Sequence, residues 1–506
     1  MTEPPTTDQR ETDVCLIVEG CYPYVPGGVS GWIDWLIRTQ TSFQVVALWP
    51  KPTRQAPRYA LPPNVTALHH LWLQDFGAEP VKRLALPDNI DDLAAGLGDL
   101  MLDGGHDALA RVGRALAHAR GRLSLPVLFN SPVAWDIARR SYEVEMPYGS
   151  FLHFFWAWRA LLGGLLATLE FPLPPARVYH TISTGYAGLL AARAALETGR
   201  PALLTEHGIY TNERRIELLM ADWVADTVDK GHAVGDPRFD LRDMWVRAFE
   251  AYARTCYECA TDVITLYEDN QRAQRLLGAA PDNLRVIANG IDVRRFAGLR
   301  PAADDARPTV ALIGRVVPIK DVKTFITAAA ILRERIPDVA ALVMGPTDED
   351  PAYVEECRAL IARFGLEGTV ELTGAVNILE HLPRVHVAAL TSLSESQPLV
   401  ILEAGGAGVP GLATNVRPPR GLLGKRAHEA PPRGRGGIVT GLVAPDEVAD
   451  ALARLLLDAG LRRRYGETLR ERVRRIYTSE RAADAYRTLY RQQVSAPTRR
   501  VTRPAA

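Results

Sequence analysis

The chain has 506 residues, of which 47% are hydrophobic and 23% are charged, as is ordinary for a globular protein of several domains. Its 59 basic and 59 acidic side chains cancel, so net charge gives no reason to expect a nucleic-acid partner. Five cysteines make no disulfide framework, which favours a reducing compartment. Cys256 and Cys259 form a CxxC without a second pair at zinc spacing, and this favours packed core thiols over a metal or redox site.

The first strand, turn and helix predicted from the N-terminus are typical of a doubly wound α/β domain. Residues 1–12 are polar and have no apolar run, so a disordered tail is predicted rather than a signal peptide or anchor. Asp13–Glu19 follows as an apolar strand pattern and leads into a turn with Gly27 and Gly28. Their spacing is not that of a dinucleotide fingerprint. Such a turn lets the backbone approach a phosphate or sugar, although a turn that simply needs glycine explains it equally well.

Residues 60–175 exceed what an α/β half requires, and we interpret them as a helical insertion. Within them, 91–123 is Ala-rich and helical in pattern. Phe151–Leu169 is apolar and nearly long enough to span a bilayer. Because Arg159 lies at its centre, where an unpaired charge would cost about 2.5 kcal/mol or more, a buried helix is favoured over a membrane span.

A histidine follows the next predicted strands of the first half. Val178–Ser183 and Ala202–Thr205 resume the strand pattern, and the second run leads directly into His207. Carboxyl ends of parallel strands lie at one edge of a sheet, where ligands bind. We therefore expect His207 at the same edge as the Gly27–Gly28 turn, although a lone histidine is more often structural than catalytic.

The second half begins with a strand, Thr309–Ile313, after a linker rich in Pro, Ala and Asp. A glycine turn follows this strand and carries Gly314, Arg315 and Lys320. A planar guanidinium and a compact ammonium beside such a turn suit the oxygens of a diphosphate. A further predicted strand, 370–376, contains a turn at Gly374.

The stretch Val385–Pro410 reads as strand, loop and helix, and its helix would begin near Leu399. The free N–H groups and positive dipole end of a helix start favour an anion such as a diphosphate. Glu395 and Glu403 flank this start, and their spacing corresponds to about 12 Å along a helix. An acid–base pair acting on one bond needs about 5 to 10 Å, so these carboxylates better suit opposite ends of a nucleotide sugar. A surface helix with two solvated glutamates is the alternative.

The pattern Glu395-x7-Glu403, with Pro398-Leu399 between and Gly408-Val409-Pro410 after, resembles the donor-binding signature of glycosyltransferase family 4. The resemblance implies a GT-B fold, an α/β architecture of two Rossmann-like, doubly wound domains that face a central cleft. It extends over residues 13–410. Ser396 stands where that family usually has glycine, and residues 417–435 replace its second glycine turn with a basic loop that we predict to be flexible.

The resemblance also implies roles for single residues. In that family the arginine and lysine of the glycine turn neutralise the leaving diphosphate in place of a metal, so no metal and no cofactor besides the UDP-sugar donor are expected. It places Glu395 and His207 at the transferred sugar, Glu403 at the ribose and Gly374 at the nucleobase. The catalytic candidates are therefore His207, Arg315, Lys320 and Glu395, and the substrate-binding candidates are Gly27, Gly28, Gly314, Gly374, Gln397, Pro398, Leu399 and Glu403.

The function implied by the resemblance is that of a retaining, metal-independent hexosyltransferase. It would move a hexose from a UDP-sugar onto a growing exopolysaccharide, and UDP-glucose is the favoured donor. A UDP-sugar epimerase on the same fold and a weakly active, UDP-binding scaffold subunit are the alternatives. The expected partners are the donor, a glycan acceptor and membrane-embedded subunits of a polysaccharide-synthesis assembly, with no nucleic acid. We expect a cytoplasmic protein, held at the inner membrane through those partners.

The sequence thus predicts a division of the chain. The predicted segments are a tail at 1–12, an N-terminal acceptor-side domain at 13–292 with the insertion at 60–175, a linker at 293–308, a nucleotide-sugar-binding domain at 309–478, a helix at 479–495 that crosses back to the first domain, and a tail at 496–506.

Overall fold

The structure is a computed structural model of the chain, and its described residues fall into two compact units. The described residues are 11–52, 56–75, 89–119, 129–219, 240–416, 421–424 and 434–498. The first unit comprises Met1–Val286 with Tyr486–Ala506, and the second comprises Ile287–Ala485. Most of both predicted tails and most of the predicted basic loop, 417–435, lie outside the described residues.

The sheet of the first unit is entirely parallel where the structure describes it. Its strands are β1 (Thr12–Glu19), β2 (Phe43–Trp49), β3 (Val65–Trp72), β4 (Ala176–Thr181), β5 (Ala202–Glu206), β6 (Asp262–Thr265) and β7 (Leu284–Val286). They lie in the order β3-β2-β1-β4-β5-β6-β7. The central strands are nearly continuous apolar runs, as expected when helices cover both faces of a parallel sheet.

Helices connect these strands and build the predicted insertion. They are α1 (Gly28–Thr39), α2 (Ile90–Leu102), α3 (His106–Ala119), α4 (Pro132–Glu145), α5 (Phe151–Glu170), α6 (Tyr186–Thr198), α7 (Tyr210–Leu219), α8 (Leu241–Cys259) and α9 (Asn270–Leu276). Cys256 and Cys259 of α8 are both buried thiols, as predicted.

Two details of the insertion differ from the prediction. Its first part is not helical, since β3 extends the sheet there as an edge strand. The strand pattern was not recognised because β3 is only half buried and contains polar residues. The single helical pattern at 91–123 is divided into α2 and α3 by Gly104, whose φ is +67°. A Cβ at Gly104 would lie 1.9 Å from the carbonyl oxygen of Ala251, so the close approach of α8 requires glycine and a break there.

The apolar helix α5 is the described helix whose length and composition would allow it to cross a membrane. Just over half of its most apolar window, 56%, is buried within the protein, and a core helix passes the same test of length and composition. Arg159 finds partners in the carbonyl of Phe129 at 3.1 Å and the side chain of Asn130 at 2.7 Å, and its guanidinium lies over the Phe129 ring. The guanidinium at the centre of the helix therefore has hydrogen-bond partners, and these are neutral groups.

The second unit contains a parallel sheet that follows the same plan. In its described part the strands are β8 (Thr309–Ile313), β9 (Ala340–Met344), β10 (Val370–Gly374), β11 (Val387–Leu390), β12 (Gly411–Thr414) and β13 (Gly437–Thr440), in the order β10-β9-β8-β11-β12-β13. Its helices are α10 (Val322–Arg335), α11 (Pro351–Arg363), α12 (Ile378–His381), α13 (Leu399–Ala407), α14 (Pro445–Leu457) and α15 (Ala459–Ile476). The last helix, α16 (Ser479–Val494), begins in the second unit and belongs to the first unit from Tyr486 onward. Two doubly wound, parallel α/β units confirm the predicted fold class.

Each sheet has a point where the strand order reverses, between β1 and β4 in the first and between β8 and β11 in the second. Connections leave such neighbouring strands toward opposite faces, and a crevice opens between them at the carboxyl edge. The turn with Gly27 and Gly28 follows β1, and the turn with Gly314 follows β8. Both predicted glycine turns therefore lie at topological switch points.

The C-terminal helix α16 packs on the first unit through its second half. The hydroxyl of Tyr490 lies 2.6 Å from Nδ1 of His180, and Nε2 of His180 lies 2.9 Å from the Thr205 hydroxyl, which also contacts Tyr486. Burial lowers the pKa of His180 to about 3, so this imidazole is neutral and needs both partners. A buried hydrogen-bond network thus joins the helix to β4 and β5.

Candidate functional site

Two loops that are far apart in the sequence lie against each other at the switch point of the second sheet. The hydroxyl of Thr391, directly after β11, donates to the carbonyls of Lys320 at 3.1 Å and Asp321 at 2.9 Å. The backbone N–H of Leu393 donates to the carbonyl of Ile319 at 2.9 Å. The loop after β8 and the loop after β11 therefore form one backbone-linked edge.

This edge holds an ion pair between two of the predicted catalytic residues. Nζ of Lys320 pairs with Oε1 of Glu395, to which the Ser392 hydroxyl also donates at 2.7 Å. The side chains of Lys320 and Glu395 are only 19% and 9% exposed. Because solvent screens a pair this little, the electrostatic interaction is stronger than at an open surface. The structure thus brings Lys320 and Glu395 together, beside Gly314.

Arg315 is not part of this ion pair. Its guanidinium pairs with Glu349, and both side chains are about half exposed. An exposed ion pair is typically worth about 0 to 1 kcal/mol, so the arginine can leave Glu349 for a stronger anionic partner. Arg315 thus lies beside Gly314 in the chain, and its ion pair with Glu349 is weak enough for a bound anion to replace Glu349.

Helix α13 begins directly after Pro398, and no described side chain caps its first N–H groups. Uncapped N–H groups at a helix start favour an anion through hydrogen bonds and the helix dipole. Leu399 is the first residue of the helix, as predicted. Glu395 precedes the helix, so the estimate of about 12 Å from helical rise applies only to the part between Leu399 and Glu403.

Gln397, a predicted substrate-binding residue, is engaged within the protein. Its Oε1 accepts a hydrogen bond from the backbone N–H of Asn289 at 2.8 Å, and its Nε2 donates to the carbonyl of the same residue at 3.4 Å. Both residues are buried. The amide thus fixes the loop before α13 to the first segment of the second unit, a role that the sequence did not predict.

Glu403 lies on α13, largely shielded from solvent. Burial raises the pKa of its carboxyl group to about 6, and the nearby charge of Arg295 opposes this only in part. Within the described residues, the Glu403 carboxylate accepts no hydrogen bond from a side chain or backbone group. A shielded carboxylate without donors suits the hydroxyl groups of a ligand.

A glycine that the sequence analysis missed determines how closely the loops approach. A Cβ at Gly345, directly after β9, would lie 2.0 Å from the carbonyl oxygen of Gly314. The backbone N–H of Gly345 donates to the carbonyl of Gly374 at 2.9 Å, and Gly374 itself has a φ of +70°. Because Gly345 has no side chain, the turn that follows β8 and the turn that follows β10 can both contact its backbone. The sequence signal for this role is a glycine directly after a buried strand.

In the first unit, His207 follows β5 and packs edge-on against Trp32, with the ring centroids 4.5 Å apart. Both ring nitrogens are buried and have no hydrogen-bond partner among the described residues. Burial lowers the pKa of His207 to about 4, so the ring is neutral at neutral pH. Near the start of α1, Gly27 and Gly28 each have open space where a side chain would be, with no described atom within 4 Å of an added Cβ.

Two carboxylates at strand ends were also missed, the buried Glu206 and the half-buried Glu19. Glu19 ends β1 and accepts a hydrogen bond from the Tyr210 hydroxyl at 3.3 Å. Glu206 ends β5 and accepts from Tyr257 at 2.6 Å and from Gln274 at 2.8 Å. Burial raises the pKa of both carboxyl groups. These residues support the loop that carries His207, and the sequence signal was an acidic residue that ends an apolar run.

In the ranges that the structure describes, no group of three or more His, Cys, Asp or Glu side chains is arranged to hold a metal ion. The expected metal independence stays a prediction.

Comparison with a solved structure defines the class of fold. HepE from Anabaena in complex with UDP has a TM-score of 0.57 and 15% identity to this chain, over 94% of this chain and 99% of HepE. The complex of HepE with UDP-glucose gives a TM-score of 0.53, over 95% and 99% of the two chains. With its two parallel-sheet units, the chain has the GT-B fold.

Family models identify the chain more closely. Residues 12–282, more than half of the chain, match the family described as Domain of unknown function (DUF3492), and residues 300–472 match Glycosyl transferases group 1. The chain therefore belongs to the DUF3492 family, and residues 300–472 of its second half are similar to the group 1 glycosyltransferases.

Two curated relatives match in part. D-inositol 3-phosphate glycosyltransferase from Kribbella flavida is 30% identical over 254 residues, which are 46% of this chain and 54% of the relative. GDP-mannose-dependent alpha-(1-6)-phosphatidylinositol monomannoside mannosyltransferase from Mycobacterium tuberculosis is 30% identical over 219 residues, 39% of this chain and 53% of the relative. The chain spans about half the length of these curated relatives.

Proposed function

We propose that the chain is a glycosyltransferase that moves a hexose from a nucleotide-diphosphate sugar to a glycan, with the donor diphosphate bound in the second unit. The observation that carries this proposal is the Lys320–Glu395 ion pair at the switch point of the second sheet. The uncapped start of α13 belongs to the same loop–helix segment, and the weakly paired Arg315 belongs to the same glycine turn. Two cations and a helix dipole at one sheet edge suit a diphosphate.

In the proposed reaction, Lys320 and Arg315 stabilise the negative charge that develops on the departing nucleotide diphosphate. This is electrostatic stabilisation and requires no proton transfer from either residue. When a diphosphate binds, Lys320 exchanges its carboxylate partner for phosphate oxygens, and Glu395 becomes available to the hydroxyl groups of the donor sugar. Glu403 accepts hydrogen bonds from the ribose hydroxyls. Its carboxylate is suited to this because no described group of the protein donates a hydrogen bond to it.

The first unit contributes sugar-binding groups in this proposal. The buried nitrogens of His207, neutral at physiological pH, bind a sugar hydroxyl as donor or acceptor rather than act as an acid. The open space at Gly27 and Gly28 lets their backbone approach the donor sugar or the acceptor.

UDP is the proposed nucleotide, and UDP-glucose the preferred donor. The GT-B neighbour HepE has been solved with UDP and with UDP-glucose. Three segments, Cys15–Trp32, Thr205–Leu218 and Ser392–Ala404, resemble PelF, the cytoplasmic glycosyltransferase of Pel exopolysaccharide machinery. On this resemblance we propose a growing exopolysaccharide as the acceptor, retention of anomeric configuration, and membrane-embedded synthesis subunits as partners.

Product analysis tests the proposal. The purified chain is incubated with UDP-glucose, UDP-N-acetylglucosamine, UDP-N-acetylgalactosamine or GDP-mannose, with and without glycan oligomers, and both nucleotide and sugar products are resolved by mass spectrometry and NMR. We expect release of UDP and an oligomer longer by one hexose. An isomerised nucleotide sugar formed without acceptor would favour the epimerase, and tight UDP binding without transfer to any acceptor would favour the scaffold; either result contradicts the proposal.

A further inference from the structure

An exposed aromatic surface lies on the helical insertion of the first unit. Among the described residues, the exposed tryptophan and tyrosine side chains all lie here: Trp135 on α4 is 49% exposed, Trp156 on α5 is 60% exposed, and Tyr148 in the turn between these helices is 82% exposed. Leu152 on α5 is also 60% exposed. Large apolar side chains exposed together on a folded protein mark a surface that binds something.

Ring contacts join these side chains into one surface. The centroid of the Trp135 ring lies 5.3 Å from that of Phe151 and 5.4 Å from that of Phe155. The Phe155 ring in turn lies 5.6 Å from the ring of Trp156. Leu152 and Trp156 are four residues apart on α5 and therefore share one side of the helix. The aromatic surface, as we call it, comprises Trp135, Tyr148, Phe151, Leu152, Phe155 and Trp156.

The turn between α4 and α5 is held in place by hydrogen bonds. The hydroxyl of Tyr142 donates to the carbonyl of Gly149 at 2.7 Å. The backbone N–H of Gly149 donates to the carbonyl of Met146 at 3.1 Å. Tyr148 is therefore exposed from a turn that is already formed, and binding through it requires little further loss of conformational entropy.

The charge on the α5 side of the aromatic surface is positive. Arg159 lies three residues after Trp156, on the same side of the helix. The segment 151–169 contains no aspartate, glutamate or lysine. Since the hydrogen-bond partners of Arg159 are neutral groups, its charge has no counter-ion among the described residues.

The α4 side carries both signs of charge. Asp136 and Glu143 both pair with Arg139, at 3.9 Å and 2.6 Å. Arg140 is exposed and forms no ion pair with any residue that the structure describes. The exposed sides of the two helices thus hold three arginines and two acids, and both acids share one arginine. An anionic partner complements the remaining positive charge.

We propose that the aromatic surface binds directly to an anionic lipid bilayer, with its exposed rings in the interfacial region and Arg159 at the lipid phosphates. Tryptophan and tyrosine favour that region because each combines a large apolar ring with a polar N–H or O–H group. An arginine keeps its guanidinium at the headgroups while its stem lies along apolar surface. Headgroup phosphates supply a counter-ion wherever Arg159 lies, so charge complementarity favours lipid over a protein partner.

In this arrangement α5 lies against the membrane and does not cross it. The other side of the helix belongs to the core of the first unit, where Phe154, Trp158 and Leu161 are buried. The contact is with lipid itself and requires no membrane-embedded subunit. It also does not depend on the proposed transfer reaction.

Vesicle flotation tests the proposal. The purified chain is mixed with vesicles of phosphatidylcholine alone, or of phosphatidylcholine with phosphatidylglycerol, and the bound fraction is measured against lipid concentration. The proteins compared are the wild type, the double variant Leu152→Gln/Trp156→Gln, and the control Leu276→Gln/Leu457→Gln, which replaces two exposed leucines outside the aromatic surface. Because all four residues are exposed, both variants should keep the fold, which the thermal unfolding midpoint checks.

We expect the wild type and the control to bind the vesicles with phosphatidylglycerol alike, and to bind phosphatidylcholine alone more weakly. Leu152→Gln/Trp156→Gln should bind the anionic vesicles at least about tenfold more weakly than the wild type, because two apolar side chains no longer enter the interface. Equal binding of the three proteins, equal binding to both vesicle compositions, or no binding of the wild type to either would overturn the proposal.

Sedimentation velocity without lipid separates the remaining occupant, a second copy of the chain. We expect the wild type and Leu152→Gln/Trp156→Gln to have the same oligomeric state. A wild-type dimer that this double substitution converts to a monomer would assign the aromatic surface to an interface between two copies, and would overturn the proposal.

Discussion

Replacing Glu403 by glutamine should stabilise the second unit at neutral pH, although Glu403 is a predicted ligand-binding residue. Glu403 lies on α13, and burial raises its carboxyl pKa to about 6 from an ordinary value of 4.5. Arg295 is close enough to lower this pKa but does not offset the burial. The folded unit therefore holds the ionised carboxylate at a cost in free energy, as is common for groups kept for function rather than stability.

The direction and size of the effect follow from the pKa. Because the folded value lies above the ordinary one, ionisation of Glu403 destabilises the folded unit, and this loss grows as pH rises. The destabilisation is absent below about pH 4.5, develops between 4.5 and about 6, and is complete above that range. The full difference corresponds to about 2 kcal/mol, and screening by the remaining solvent contact reduces this to about 1 to 2 kcal/mol.

Urea unfolding of the wild type and Glu403→Gln, followed at about pH 4 and about pH 7.5, measures the effect. We expect similar free energies of unfolding at the acid pH and a more stable variant at the higher pH. Glu367→Gln, at an exposed position, is the matched control and should show no pH-dependent difference. A stability difference for Glu403→Gln that is the same at both pH values would refute the assignment of the cost to a buried charge.

Two further substitutions test the packing behind the sites. Gly345→Ala places a Cβ 2.0 Å from the carbonyl oxygen of Gly314, so we expect a loss of about 1 to 3 kcal/mol by thermal unfolding, with weaker UDP binding by calorimetry. Tyr490→Phe removes the hydroxyl that bonds Nδ1 of His180 and leaves a buried polar group unpaired, so urea unfolding should show a loss of about 1 to 3 kcal/mol.

Each substitution has a result that would contradict its reasoning. Gly298→Ala is the control for Gly345→Ala, because no described atom lies within 4 Å of an added Cβ there. If both variants keep the stability and UDP affinity of the wild type, the backbone of the Gly314 turn is not held as the structure indicates. An unchanged free energy of unfolding in Tyr490→Phe would mean that His180 does not need this hydroxyl.

Most of the fold could be predicted where strands are continuous apolar runs. The run at 309–313 was predicted with the bounds that the structure has for β8, because a strand buried on both faces differs sharply from its surroundings. The prediction missed β12 and β13, which have only four residues each and begin with glycine. It also missed β3, because an edge strand contains polar residues such as His69 and His70.

The candidate site was predictable in its parts but not in its contacts. Glycine turns and paired carboxylates can be recognised from local spacing, and the structure brings Lys320 and Glu395 together across 75 positions of sequence. Gln397 shows the limit of such reasoning, because its partner is a backbone group at Asn289. Glu19 and Glu206 were missed because their hydrogen-bond partners, Tyr210 and Tyr257 respectively, are distant in sequence.

The most direct test of a diphosphate site in the second unit is calorimetric titration of UDP into the wild type, Lys320→Met and Lys323→Met. Lys323 is the matched control, since it is exposed on α10 and pairs with Glu356. The account predicts that UDP binds the wild type and Lys323→Met alike, and binds Lys320→Met at least about tenfold more weakly. Equal UDP affinity in Lys320→Met and the wild type would contradict it.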